Sequence, residues 1–212
     1  GELTYSSLRL AVGKHTSLQR LDYVMVSHQD PDVVASIDKW LVGTDCRIVL
    51  PQLWERFIAH FTKPDRIRGR VVAIPDQGGT LNLGESELVA IPAHFLHSPG
   101  NFQFYDPTSK ILFSGDMGAN LSEDELDNPA KRLQPLLPAM EGFHQRYMAG
   151  NRACRFWADM VADLDVELLV PQHGRAMQGK AITEFLDWIR ELRCGVDQID
   201  ADWYRRPETT LQ

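Results

Sequence analysis

Hydrophobic residues in the first half of the chain fall into short apolar blocks alternating with helically spaced stretches. Residues 21–27 (LDYVMVS) are apolar, β-branched and aromatic, with polar residues at both ends, which predicts a buried strand. Residues 33–41 (VVASIDKWL) then take helical spacing, with Asp32 placed to cap them. A strand over 47–50 (RIVL) follows, and Pro51 leads into the amphipathic stretch 53–61 (LWERFIAHF), so the order is β-α-β-α. Residues 70–74, 80–83 and 87–91 read as short strands separated by Gly-rich turns. Residues 101–105 (NFQFY) alternate cleanly, and a turn at 106–110 leads into 111–114 (ILFS), a hairpin that completes a β-meander.

The second half is more helical. Residues 120–138 are polar, acidic and Pro-bearing, and read as an irregular surface segment suited to a lid. A long helix is predicted over 141–164, a last strand over 167–170 (ELLV) and an amphipathic helix over 180–193, leaving a tail at 196–212 with no clear partner. The element string is α/β or α+β, with short strands in two groups and no internal repeat.

Composition narrows the function classes. With 43% hydrophobic and 24% charged residues in 212, the chain is of globular type, sized for one large domain. Its net charge of −7, with basic residues scattered singly, argues against nucleic-acid binding. No apolar run is long enough for a membrane span and no signal peptide is visible, so a cytoplasmic protein is expected. Gly1 in place of a methionine marks a processed product, a tagged chain or a fragment. Cys46, Cys154 and Cys194 are sparse and odd in number, which suits a reducing compartment and small buried side chains. Three thiols also cannot build a four-thiolate iron site within one chain.

The densest polar cluster, Ser27-His28-Gln29-Asp30-Pro31-Asp32, follows the first strand. In extended backbone His28, Asp30 and Asp32 share one face, and Pro31 keeps Asp30 out of helical conformation. Two carboxylates about 5 Å apart repel by roughly 3 kcal/mol at an effective dielectric of about 20, so a positive charge belongs between them. The plainer reading is a capped strand-to-helix turn. Three later residues favour the first: His97, Asp116 (after ILFS) and His173 (after ELLV) each follow the end of a strand, where open α/β sheets place their sites. Together the set offers three imidazoles and three carboxylates, enough for two metals sharing a carboxylate. His15, His60, His94 and His144 are read as structural.

These motifs, H-x-D-x-D, L-H-x-P-G, F-S-G-D and P-Q-H-G in that order, resemble the metallo-β-lactamase fold, and within it the flavodiiron and oxygen-binding diiron branch. The resemblance covers residues 20–195 and implies an αββα sandwich. It also implies that His28, Asp30 and His97 hold a first metal, Asp32 and His173 a second, and that Asp116 bridges them. Two iron ions are the implied cofactor, with zinc or manganese as alternatives in the same ligand sphere. There are two departures: Asp30 stands where the diiron branch usually has Glu, and Val33 stands where the family motif ends in His, which leaves the second metal three protein ligands. Family members carry strands ahead of the first motif, so the chain is expected to begin inside the domain.

The resemblance implies a non-heme diiron protein that binds or reduces O2 or NO, and a flavodiiron-like oxidoreductase if it is an enzyme. With no phosphate-binding loop for a flavin, turnover would need electrons from a redox partner protein, delivered across a homodimer or otherwise. The alternatives are a metal-dependent hydrolase of an ester, thioester or phosphodiester, and a sensory or regulatory domain.

Overall fold

A computed structural model of the chain describes residues 1–121 and 126–207. In chain order it runs through α1 (Tyr5–Gly13), β1 (Tyr23–Met25), α2 (Pro31–Val34), α3 (Ile37–Gly43) and β2 (Arg47–Pro51). A 3-10 stretch, Gln52–His60, leads to α4 (Pro64–Ile67) and β3 (Val71–Ile74). The meander follows as β4 (Gly79–Asn82), β5 (Glu87–Pro92), β6 (Phe102–Asp106) and β7 (Ile111–Gly115). The chain continues with α5 (Leu137–Tyr147), α6 (Asn151–Ala162), β8 (Leu168–Pro171), β9 (Met177–Gln178) and α7 (Lys180–Glu191).

The strands form two sheets, a parallel one in the order β1-β2-β3 and a mixed one in the order β4-β5-β6-β7-β8-β9, in which β7 and β8 are parallel. Alternation in β2 shows how they stack. Ile48 and Leu50 enter a core shared with Val34, Ile37, Trp40 and Leu41 of α2 and α3, while Val49 on the other face packs with Ala90, Phe102 and Phe104 of the second sheet. A strand buried on both faces has no polar side, which is why RIVL reads as a continuous apolar run. In β6, Phe102 and Phe104 face the first sheet, while Tyr105 joins the largest core with Trp157 of α6 and Phe185 of α7. On that side Gln103 accepts a hydrogen bond from the Trp157 indole N–H at 2.9 Å. The layers are therefore helix, sheet, sheet, helix, the αββα sandwich that the motifs imply.

Several local expectations change. The helix expected over 33–41 is two, α2 and α3, separated at Ala35 and Ser36. Residues 53–61 wind as 3-10 turns within Gln52–His60. The helix expected over 141–164 breaks into α5 and α6, with Met148 extended. The break frees the Ala149 N–H to donate to the Phe95 carbonyl at 3.1 Å, tying the helices to the loop between β5 and β6. The segment expected to be a lid is pinned over its described part: Ala130, Leu133 and Leu136 enter the main core, and the Ala130 N–H donates to the Ala176 carbonyl at 2.7 Å. Residues 122–125 of that segment lie outside the described residues, as do 208–212 of the tail. The tail before them packs on α5, the Arg146 guanidinium lying 5.1 Å from the Trp203 ring centre. Among the described residues no helix is long and apolar enough to cross a membrane.

His144 of α5 is fully buried. Its Nδ1–H donates to the Met140 carbonyl at 2.8 Å and Nε2 accepts the Gly118 N–H at 3.0 Å, so both ring nitrogens are used by the neutral form. Burial pushes its pKa down to about 4. The unfolded chain takes up this proton near pH 6.5 and the folded chain only near 4, so the stability His144 contributes is complete above 6.5 and is lost as the pH falls toward 4. At about 1.4 kcal/mol per pH unit the loss reaches about 3 kcal/mol. The stability gap between the native chain and His144→Gln is therefore expected to narrow by that order between pH 7 and pH 4 in urea unfolding. A gap independent of pH would contradict this account of His144.

Candidate metal centre

Four segments deliver the six residues to one edge of the sandwich. The first leaves β1: the Ser27 carbonyl accepts the Phe102 N–H at 3.0 Å, joining the two sheets one residue before His28. Pro31 then starts α2, holding Asp30 in extended conformation ahead of it and Asp32 in the first turn. The second segment, between β5 and β6, carries His97. It is held from inside by Asn101, whose side-chain amide donates to the Leu96 carbonyl. The third follows β7, where the Ser114 hydroxyl donates to the Met117 carbonyl at 2.6 Å and the Ala119 N–H to the Asp116 carbonyl at 3.0 Å, forming a tight turn around Asp116. The fourth follows β8: the Gln172 N–H donates to the Gly115 carbonyl at 2.7 Å, so the ends of parallel β7 and β8 present Asp116 and His173 side by side.

The side chains meet around Asp116. Its Oδ2 lies 3.2 Å from His28 Nε2 and 3.0 Å from His97 Nε2, while its Oδ1 lies 3.9 Å from His173 Nε2. Asp30 Oδ2 is 3.4 Å from His97 Nε2 and 3.9 Å from His28 Nε2. Asp32 Oδ2 is 2.9 Å from His173 Nε2. Ligand-type atoms of His28, Asp30 and His97 all lie within 4.8 Å of one another. The structure thus brings all six sequence-derived candidates together, as a trio of His28, Asp30 and His97, a pair of Asp32 and His173, and Asp116 between them. His94 turns away, bonding the Asp76 carbonyl at 2.7 Å.

Three of the six, His28, Asp30 and Asp32, are oriented from behind. His28 Nδ1 pairs with the Ser27 hydroxyl at 2.9 Å, which turns Nε2 toward Asp116. Asp30 Oδ1 accepts from the Gln29 amide at 3.1 Å, and Gln29 in turn accepts from the Ser98 hydroxyl at 2.5 Å. Asp32 accepts from the Gln172 amide at 2.6 Å. Such partners fix ring and carboxylate orientation at metal sites. The sequence reading missed them, although Ser27, Gln29 and Gln172 each adjoin a motif residue.

It missed the aromatic wall as well. Phe143 and Tyr147 of α5 stack at 4.9 Å and lean on His97, their ring centres 6.3 and 5.8 Å from the imidazole. Their i, i+4 spacing on a helix was the available signal.

The electrostatics suit a cation. Burial alone would raise the Asp116 carboxyl, but the adjacent His28 and His97 imidazoles outweigh it and hold Asp116 well below the usual carboxylate range. Asp116 in turn holds His97 above the ordinary histidine value, against the opposing effect of burial. His28 Nε2 is buried 3.2 Å from Asp116 without an aligned hydrogen bond, a donor atom of ligand type facing the centre. Three carboxylates and three imidazoles form a nitrogen and oxygen donor set suited to iron, manganese or zinc. The two halves differ in exposure: the His28 side chain is 1% exposed, against 45% for Asp32 and 48% for His173.

The chain as a whole is similar to known proteins. The family model described as ODP family beta lactamase matches residues 1–174. Among solved structures, the peroxy diiron species of the chemotaxis sensor ODP is 39% identical, with a TM-score of 0.83, over 91% of this chain and 80% of that one. The apo state of the chemotaxis sensor ODP from T. denticola is 38% identical, with a TM-score of 0.86, over 93% and 80%. The flavodiiron protein from Giardia intestinalis shares the fold at 16% identity, with a TM-score of 0.75, over 88% and 46%. The chain spans less than half the length of the curated relatives it matches.

The placement of His173 rests on one glycine. Gly174 has φ +83, and a Cβ there would lie 2.1 Å from the Asn120 carbonyl oxygen. Gly179 also has a positive φ, +56, but a Cβ there would meet nothing within 4 Å. Gly179→Ala is expected to cost about 2 kcal/mol, the backbone penalty of φ +56 with ψ −124 alone. Gly174→Ala is expected to cost several kcal/mol and to displace His173. Urea unfolding checks the stabilities and metal titration checks the site; equal costs for the two variants would contradict the assignment.

Proposed function

Because the chain belongs to the ODP family of beta lactamases, we propose that it is a non-heme diiron protein whose His/Asp centre binds O2, and that this binding serves detection rather than turnover. The observation that carries the proposal is the divided carboxylate of Asp116, one oxygen directed to His28 and His97 and the other to His173. His28, Asp30 and His97 would hold one iron, Asp32 and His173 the other, and Asp116 would bridge. Iron so held supplies one-electron redox steps and affinity for diatomic gases.

The protein's own groups set the conditions for that chemistry. Ser27, Gln29 and Gln172 fix the ligand orientations from behind. Phe143 and Tyr147 shield the His97 side from water, while the exposed Asp32 and His173 side faces solvent. Val33 carries no donor atom and packs against the core of the first helical layer, so it adds no ligand beside Asp32 and His173. That keeps the second half at three protein ligands and favours a small molecule as the remaining partner.

Detection is favoured over turnover by the relatives named as a chemotaxis sensor, which share 38–39% identity with this chain along four-fifths of their own length. A sensor needs no steady electron supply; reduction of O2 or NO would require a redox partner protein. Hydrolysis is disfavoured by Asp30, which replaces the second imidazole of the hydrolase motif, and by Val33, which replaces its last histidine. A cytoplasmic location, without membrane or nucleic-acid partners, completes the proposal.

Protein expressed with iron is expected to carry about two irons per chain by elemental analysis, as a bridged pair requires. The reduced protein is expected to change its absorbance on exposure to air. Asp116→Asn, which keeps the shape and removes the charge, is expected to lose most of that iron and the response. A chain that takes up only zinc and is silent to oxygen, or that cleaves esters when zinc-loaded, would overturn the proposal.

A further inference from the structure

On the helical side of the larger sheet the fold brings two thiols together. Cys154 lies in α6 and Cys194 just after α7; both are fully buried, and their sulfurs are 3.8 Å apart. Cys46 belongs to the core beyond the other sheet. The segments carrying the pair are clamped by Asn151, whose amide donates to the Arg190 and Leu192 carbonyls at 2.8 and 2.9 Å and whose backbone N–H donates to Asp197 at 2.6 Å. A disulfide has its sulfurs about 2.05 Å apart, so closure needs an approach of about 1.8 Å.

A route from solvent lies alongside. A groove of about 380 Å³ is lined by Tyr147, Met148, Ala149, Gly195 and Val196. Gly195, next to Cys194, has φ +50 and lies so close to the Met148 carbonyl that a Cβ would be 2.1 Å from its oxygen. Only a bare backbone fits there, so no side chain of residue 195 screens Cys194 from the groove. Tyr147, the ring that leans on His97, also lines the groove.

We propose that Cys154 and Cys194 form an oxidisable dithiol that closes to an intrachain disulfide when a hydroperoxide enters through this groove. The Cys194 sulfur attacks the peroxide, the O–O bond breaks, an alcohol or water leaves, and Cys194 becomes a sulfenic acid. The Cys154 sulfur then displaces water from it as the S–S bond forms. The two thiols lose two electrons and two protons, and the hydroperoxide takes up both. Cys194 is the attacking group because its chain neighbour Gly195 lines the groove, whereas Cys154 lies within α6.

The test is titration of the full chain with cumene hydroperoxide, followed by thiol counting under denaturing conditions, intact mass and peptide mapping. The three thiols of the sequence are expected to fall to one, Cys46. The mass is expected to drop by about 2 Da, the map to show a Cys154–Cys194 peptide, and dithiothreitol to reverse the change. In Cys154→Ala the same treatment is expected to add oxygen to Cys194. Val196→Trp, which fills the groove, is expected to slow thiol loss several-fold. Three surviving thiols, oxygen addition in the native chain, or a disulfide involving Cys46 would overturn the dithiol; an unchanged rate in Val196→Trp would overturn the route.

Discussion

A carboxylate buried to 4% exposure is costly unless positive charge or hydrogen-bond donors surround it, and Asp116 is such a group. Its two oxygens face in two directions, toward His28 and His97 and toward His173. Much of the local structure serves this arrangement. The Ser114 to Ala119 turn shapes the backbone around Asp116, the ends of β7 and β8 are joined so that His173 arrives beside it, and the bond from Phe102 to Ser27 brings the first sheet's histidine to the same edge. Without a cation, the His28 and His97 imidazoles are what offset the Asp116 charge. With one, the negative charge of Asp30, Asp32 and Asp116 becomes a ligand field.

The site was legible in the sequence because its residues follow strand ends, and strand ends are among the more readable features of a chain. Asp30 and Asp32 sit two apart around a proline, and Asp116 and His173 come two and three residues after the short strand-forming runs ILFS and ELLV. The apolar pattern by itself reached only α/β or α+β with strands in two groups; the sandwich followed from the resemblance of the motifs, because how two sheets stack depends on contacts far apart in the chain.

What the sequence concealed depends on contacts distant along the chain. Residues 141–164 have unbroken helical spacing, and nothing local announces that the Ala149 N–H will be drawn to Phe95. His144 looks like any histidine on an amphipathic helix until Gly118 and Met140 take both its nitrogens. The supposed lid looks like a loop by composition, yet Ala130, Leu133 and Leu136 are spaced to reach the core, and tertiary burial overrides its polar character.

Within five residues α5 touches two of the ligand-bearing loops: Phe143 and Tyr147 bear on His97, and His144 holds the Gly118 amide two residues after Asp116. A close-packed interior transmits displacement instead of absorbing it. The spacing between the His97 and Asp116 loops is thus set in common by this one helix, whose Arg146 also stacks on Trp203 of the tail.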